Sequence, residues 1–237
     1  MTRALVLRLE GPMQAWGGPV AGDDRPTLDA PTKSGVIGLV AGALGIDRAE
    51  VGRIRALHDG LGLVVRVDRQ GAAGVDFQTI EDVPTAGGGV RKDPVISRRG
   101  VLYDAAFTVL LIERDGLTPP LPDIALALRY PRFLPFLGRR AFPPSVPALL
   151  PPGVREAPSW RDLLDGVTPA RAEATRGKFE ILADADLVEP GRGVVERRVR
   201  DVTAGTSPRF FEERSLRRTT HEATCDIARD TTEGWGA

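Results

Sequence analysis

Thiol and imidazole chemistry is almost missing from this sequence. A single cysteine, Cys225, excludes an internal disulfide framework and suits a reducing compartment. The two histidines, His58 and His221, are too isolated to build a Cys/His zinc site. There is no excess of either charge, with 32 basic against 32 acidic residues, so a nucleic-acid surface would have to come from local clustering. No apolar run reaches the roughly 20 residues that span a bilayer. After Met-Thr-Arg only Ala4 to Leu7 are consecutively apolar, and no small-residue cleavage site follows, which argues against a signal peptide. These absences predict a cytoplasmic protein with no membrane, metal or cofactor requirement.

What is present begins with an ordinary globular composition. At 237 residues, 42% of them apolar, the chain can bury a proper core as one large domain or two small ones. Twenty prolines and 27 glycines point to long loops around it.

The stretch Pro31 to Ile46 predicts a buried helix. Thr32 offers an N-cap hydroxyl and Gly45 a left-handed C-terminal cap. The body is apolar on nearly every side, and Gly38 and Gly42 at helical spacing suggest close backbone contact with a sheet. Free amides, the helix dipole, Lys33 and Ser34 would make its first turn a phosphate seat. It is not a P-loop, because Thr32 stands where that motif needs glycine before the lysine.

Ala4 to Leu9 reads as a buried strand, and Glu10 to Ala30 as an unusually long connection. Asp47 and Glu50 form a capping box for a second helix ending near Gly60, which puts His58 on a surface near its negative end. Leu61 to Asp68, Val75 to Ile80 and Ala105 to Ile112 are strands, and Pro122 to Leu128 is a short helix. Between the last two strands Glu81 to Arg99 has no regular period, and it carries three consecutive glycines with Arg91, Lys92, Arg98 and Arg99. The order β-α-(α)-β-β-(excursion)-β-α is that of a ferredoxin-like, RNA-recognition-type sheet with an inserted hairpin. Arg129 to Pro158 holds eight prolines and no acidic residue between Arg129 and Arg140, which argues against regular structure. A link to a second, β-rich unit is placed near Val146, and the polar chain from Thr219 reads as a frayed tail.

Catalysis is poorly supplied. The paired carboxylates Asp23/Asp24 and Asp184/Asp186 read as solvated turn residues. Anionic-polymer binding is better supplied, by Lys33, by the excursion, by Arg129, Arg132, Arg139 and Arg140, and by Arg209 with Arg214 to Arg218. Trp16, Tyr103, Tyr130, Phe133, Phe136 and Phe210 interleave with them, the pairing by which single-stranded RNA is gripped. Solvated faces and core aromatics would give the same pattern, so composition and spacing go no further than an RNA-binding α+β protein.

More specific matches resemble one family. Leu7-Arg-Leu-Glu-Gly-Pro-Met-Gln-Ala-Trp-Gly17, Arg25-Pro-Thr27, Pro31-Thr-Lys-Ser-Gly-Val-Ile-Gly-Leu39, Asp76-Phe-Gln-Thr79, Arg99, Asp104-Ala-Ala-Phe107, Phe136-Leu-Gly-Arg-Arg140 and Pro208-Arg-Phe210 resemble, in order, the CasD family. That family is the Cas5-type subunit of the type I-E CRISPR surveillance complex, Cascade. The resemblance implies an α+β protein with a ferredoxin-like (RAMP-type) palm over 1–146, a β-hairpin thumb inserted at about 81–104, a small C-terminal β domain over 147–218 and a tail over 219–237. It implies a non-catalytic subunit that caps the 5′ handle of the CRISPR guide RNA (crRNA) for antiviral DNA targeting. Implied partners are that RNA, the backbone (CasC-type) and large (CasA-type) subunits and, indirectly, target DNA.

The implied RNA contacts are Gln14, Trp16, Arg25, Lys33, Ser34 and Gly35 in the palm, and Arg91, Lys92, Arg98 and Arg99 in the thumb. Arg129, Arg139, Arg140 and Arg209 complete the set. Gln78 stands where relatives often carry histidine. The alternative is a metal-independent endoribonuclease acting on repeat RNA, as in type I-C systems. Cleavage commonly recruits histidine, tyrosine and lysine together, and here only Lys33, Tyr103 and Tyr130 are at hand. A DNA-binding module lacks any recognition-helix signature.

Overall fold

The computed structural model describes residues 1–18, 24–85, 87–170, 176–206 and 209–224. In chain order the strands and helices are β1 (Thr2–Glu10), β2 (Met13–Gln14), α1 (Lys33–Leu44), α2 (Val51–Gly60), β3 (Leu61–Arg69), β4 (Ala72–Ile80), β5 (Val95–Tyr103) and β6 (Ala106–Glu113). They continue with α3 (Leu121–Arg129), β7 (Leu149–Ala157), α4 (Trp160–Asp165), β8 (Arg176–Asp184), β9 (Val195–Thr206) and β10 (Arg209–Thr224).

Strands β7-β1-β6-β3-β8-β10-β9 form one seven-stranded sheet, antiparallel at every pairing. The chain is therefore a mixed α/β protein built mainly on antiparallel sheet. Its central strands are apolar without interruption because both faces are covered. Leu5, Leu7, Leu63, Val65, Phe107 and Val109 belong to one core cluster with Val36, Ile37 and Val40 of α1 and Ile124 of α3. Ala4, Val6, Val64 and Leu110, which alternate with them, join Trp160, Leu163 and Leu164 of α4 in another. A period of two along each strand separates the faces.

Helix α1 forms where its caps demand. The Thr32 hydroxyl accepts from the Gly35 amide at 3.2 Å, and Gly45 adopts φ 71° at the other end. The glycines inside it do not face a sheet. A methyl group at Gly38 or Gly42 would meet nothing within 4 Å, so the close approach expected there is absent. Helix α2 starts at Val51 rather than in a full capping box. The Glu50 carboxylate accepts from the Asp47 amide at 2.8 Å, and the Asp47 carboxylate turns instead to the Ala49 amide.

Three segments are more regular than their composition suggested. Val95 to Arg99, placed in an aperiodic excursion, belongs to β5, which pairs with β4 from Ala72↔Tyr103 to Ile80↔Val95. The proline-rich stretch contains β7, which among the described residues pairs with β1 alone. Pro151 and Pro152, which lack amide donors, fall in the register shift between Leu149 and Val154 and stand opposite no paired residue of β1. The boundary expected near Val146 does not divide the sheet, since β7 joins β1 and β8 joins β3. Of the tail expected from Thr219, Thr219 to Thr224 are instead strand and pair with β8 from Ile181 to Arg176, and the rest of that expectation lies outside the described residues. Long-range pairing supplies what local pattern could not announce. No helix among the described residues is long and apolar enough to cross a membrane.

Candidate nucleic-acid interface

Strands β4 and β5 project as a hairpin whose foot is a small sheet, β2-β5-β4. Register puts Asp76 beside Arg99 and Gln78 beside Ser97 on one face, and Phe77 beside Arg98 on the other. The Arg98 guanidinium stands 6.0 Å from the Phe77 ring centroid, a cation–π pair on an exposed strand. Beyond Ile80 the hairpin tip carries Arg91 and Lys92, both exposed.

At the foot, three basic side chains converge. The backbone at Arg25 lies along β5, with the Arg25 amide donating to the Arg98 carbonyl and the Gly100 amide to the Arg25 carbonyl, each at 2.9 Å. Glycine is required at position 100 because a Cβ would lie 2.6 Å from the Thr27 amide nitrogen. From the other side Arg139 Nη2 donates to the Gly100 carbonyl at 2.9 Å. Burial pulls the Arg139 pKa below its usual value, and the positive charges of Arg99 and Arg25 add to this while Asp76 opposes it. Arg139 stays charged nonetheless, as guanidinium does in proteins. Arg139 therefore lies in the field of two further cations, with the Asp76 carboxylate 3.9 Å from Nη1. Such a foot attracts anions.

The segment around Arg139 is held by the chain's opening motif. The Ala15 amide donates to the Leu137 carbonyl at 3.0 Å, and Gly138, at φ 88°, lies so close that a Cβ would overlap the Ala15 carbonyl oxygen. A Cβ at Gly11 would meet Leu137 Cδ1 at 2.9 Å. Gln14 and Trp16 form the floor of this contact. Gln14 Nε2 donates to the Ala105 carbonyl at 2.7 Å, and Trp16 Nε1 donates to Gln14 Oε1 at 3.0 Å. Both side chains are buried, so the expectation that they touch RNA directly is corrected. Apolar burial and satisfied amide bonding hold them as positioning residues. Gly35 belongs to the same packing, since a Cβ there would stand 3.0 Å from the Trp16 ring.

Lys33 needs the larger correction. Its side chain is 2% exposed, and Nζ donates to Asp184 Oδ2 at 2.8 Å. The amide expected to receive a phosphate donates instead to Asp201 Oδ2 at 2.7 Å. Arg214 bridges both carboxylates, 2.6 Å from Asp184 Oδ1 and 2.6 Å from Asp201 Oδ1. The anion at the start of α1 is thus a carboxylate from β9, and Arg214 and Asp184, taken for a surface cation and a turn residue, are interior groups. Burial lowers the Lys33 pKa, against the opposing pull of Asp184, with Arg114 and Arg214 lowering it further. No local signal in the sequence marks this network, whose members lie on α1, β8, β9 and β10.

Of the remaining expected contacts, Ser34 is half-buried with its hydroxyl 3.5 Å from Thr32 Oγ1, while Arg129 and Arg140 are exposed. The Arg209 side chain lies outside the described residues. The histidines occupy different surroundings from those expected. His58 is buried with Nδ1 3.3 Å from Asp59, and burial followed by the Lys33 charge lowers its pKa. His221 Nε2 stands 2.8 Å from Asp165 beside the Trp160 ring. Among the described residues no cluster of three or more His, Cys, Asp or Glu is arranged to hold a metal ion.

The contacts between the opening motif, the start of α1, the hairpin foot and the Leu137-Gly138-Arg139 segment lie within residues 4–212, which match the family model described as CRISPR-associated protein (Cas_Cas5). The chain belongs to the Cas5 family. Among curated proteins this Cas5 family member is similar to the CRISPR system Cascade subunit CasD of Escherichia coli (strain K12), at 36% identity over 159 residues, 63% of this chain and 71% of that protein. Among solved structures it is similar to a chain of a CRISPR RNA-guided surveillance complex, with TM-score 0.74, 32% identity and coverage of 93% and 90% of the two chains. A Cas protein crystal structure matches with TM-score 0.61, 35% identity and coverage of 92% and 93%.

Proposed function

We propose that this Cas5 family chain is a non-catalytic, crRNA-binding subunit of a type I-E Cascade complex. It caps the 5′ handle of the guide and anchors the neighbouring backbone and large subunits, through which target DNA is engaged. The observation that carries the reading is the foot of the hairpin, where Arg139 lies in the field of Arg99 and Arg25 with Asp76 as its opposing carboxylate. Phosphates are the ligand that such an excess suits, and Arg91, Lys92 and Arg98 extend it along the thumb.

Strand order also supports the palm. Counting only β1, β3, β6 and β7, with their helices between, the sheet runs fourth-first-third-second, the ferredoxin-like order, with β4 and β5 inserted as the thumb. On this reading β8, β9 and β10 are the C-terminal β-rich part, continuing the palm sheet. Binding is favoured over cleavage because the lysine and imidazoles a metal-free ribonuclease recruits are occupied, which leaves only the exposed Tyr103 and Tyr130. Lys33 is paired with Asp184, His58 is buried, and His221 is held by Asp165.

The test is a filter-binding titration of the full chain against guide RNA with and without its 5′ handle, followed by incubation with repeat RNA in EDTA. Handle-dependent binding without cut products is the expected result. Equal affinity for both RNAs, or a discrete cleavage band, refutes the reading.

A further inference from the structure

An exposed apolar knob at the end of α3 is not used by the RNA site. Leu126 and Leu134 are 60% and 84% exposed, and Tyr130 and Phe133 stand open beside them. The knob is held in place. The Arg132 and Phe133 amides donate to the Ala43 and Gly42 carbonyls of the last turn of α1, at 2.9 and 3.2 Å. Pro131 and Pro135 stiffen the segment on either side of Leu134. A solvated loop would have no need to order large side chains in water, whereas a preformed apolar projection loses little entropy on docking.

We infer that this knob is the docking surface for a protein subunit whose face combines an apolar cleft with a rim of carboxylates, an inference that rests on the reading of the chain as a complex subunit. Charge complementarity sets the partner's chemistry. No acidic residue occurs between Asp123 and Glu156, and neither Arg129 nor Arg132 is paired with a carboxylate among the described residues. A protein is favoured over RNA because the two most prominent aliphatic groups offer no π face to a base. The Arg129 guanidinium, moreover, already lies 5.8 Å from the Tyr130 ring centroid. Aromatic anchors with arginine are the composition of protein hot spots.

The experiment co-expresses the chain with the other subunits and a guide RNA, comparing wild type with Leu134→Glu and Leu126→Glu. Both side chains are exposed, so unchanged melting temperatures are expected. Both variants should enter the particle and keep the guide, while retention of one protein subunit falls at least about tenfold. Wild-type subunit ratios in both variants would overturn the inference. So would loss of guide RNA with every protein retained, which makes the knob a nucleic-acid face. A dimer of the isolated chain that Leu134→Glu turns into monomer would assign the surface to a second copy and overturn it too. A wild-type chain that joins no particle and holds no guide would sink the functional reading and this inference together.

Discussion

Lys33 Nζ lies 2.8 Å from Asp184 Oδ2, joining the first turn of α1 to the end of β8 across 151 residues. The same oxygen accepts from the Leu63 amide at 3.2 Å and from Arg114 at 3.1 Å, while Oδ1 takes Arg214 at 2.6 Å. One carboxylate therefore ties a helix to three strand segments, and it is the central anion of a buried cation cluster.

Loss of that anion should be far more damaging than loss of the lysine. Asp184→Ala strands Lys33 in the interior, leaves Arg214 only its bonds to Asp201, and is expected to lower stability by about 3–5 kcal/mol. Lys33→Met leaves Asp184 still paired with Arg214 and Arg114, so its effect should be smaller. Urea midpoints of the two variants measure the difference, and equal small shifts would show that the cluster does not organise the fold.

Glycines separate into tolerant and intolerant positions. Gly38→Ala replaces a poor helix former where a methyl group meets nothing within 4 Å, and should stabilise by about 0.5–1 kcal/mol. Gly138→Ala should destabilise by more than about 2 kcal/mol, because φ 88° and the Ala15 carbonyl both oppose a side chain. Thermal melting of both variants reads the contrast, which disappears if Gly138→Ala melts like wild type.

RNA affinity should track the hairpin foot and not the start of α1. Arg25→Ala, at an exposed position, is expected to weaken binding several-fold and to reduce the salt slope by about 0.7 for one lost phosphate contact on a single strand. Lys33→Met should leave that slope unchanged. A titration at several salt concentrations in which only the lysine variant changes would reverse the assignment.

His58 makes stability sensitive to mild acid. Its folded-state pKa is depressed by burial, so below the unfolded value of about 6.5 the unfolded chain binds the proton more readily. The stabilising effect is complete above that value and declines as pH falls toward the lowered one. His58→Asn should flatten the change in melting temperature between roughly pH 7 and 5. An imidazole titration with its midpoint above 6.5 would contradict the sign.

Much of the architecture was legible because it is written locally. Thr32 and Gly45 cap α1 within the reach of one turn, alternation separates the two covered faces of β1 and β6, and glycine-rich basic sequence marks a hairpin tip. Order along the chain was enough to place the family, since its motifs keep their sequence whatever they touch. Tertiary structure alone decided which polar groups face water. Lys33, Gln14 and Trp16 carry the residue types of a binding site, yet each is buried, because partners far along the chain satisfy it. A lysine at a helix start is solvated unless a distant carboxylate arrives to compensate the loss of water. No short-range pattern records where Asp184 and Asp201 will come to rest.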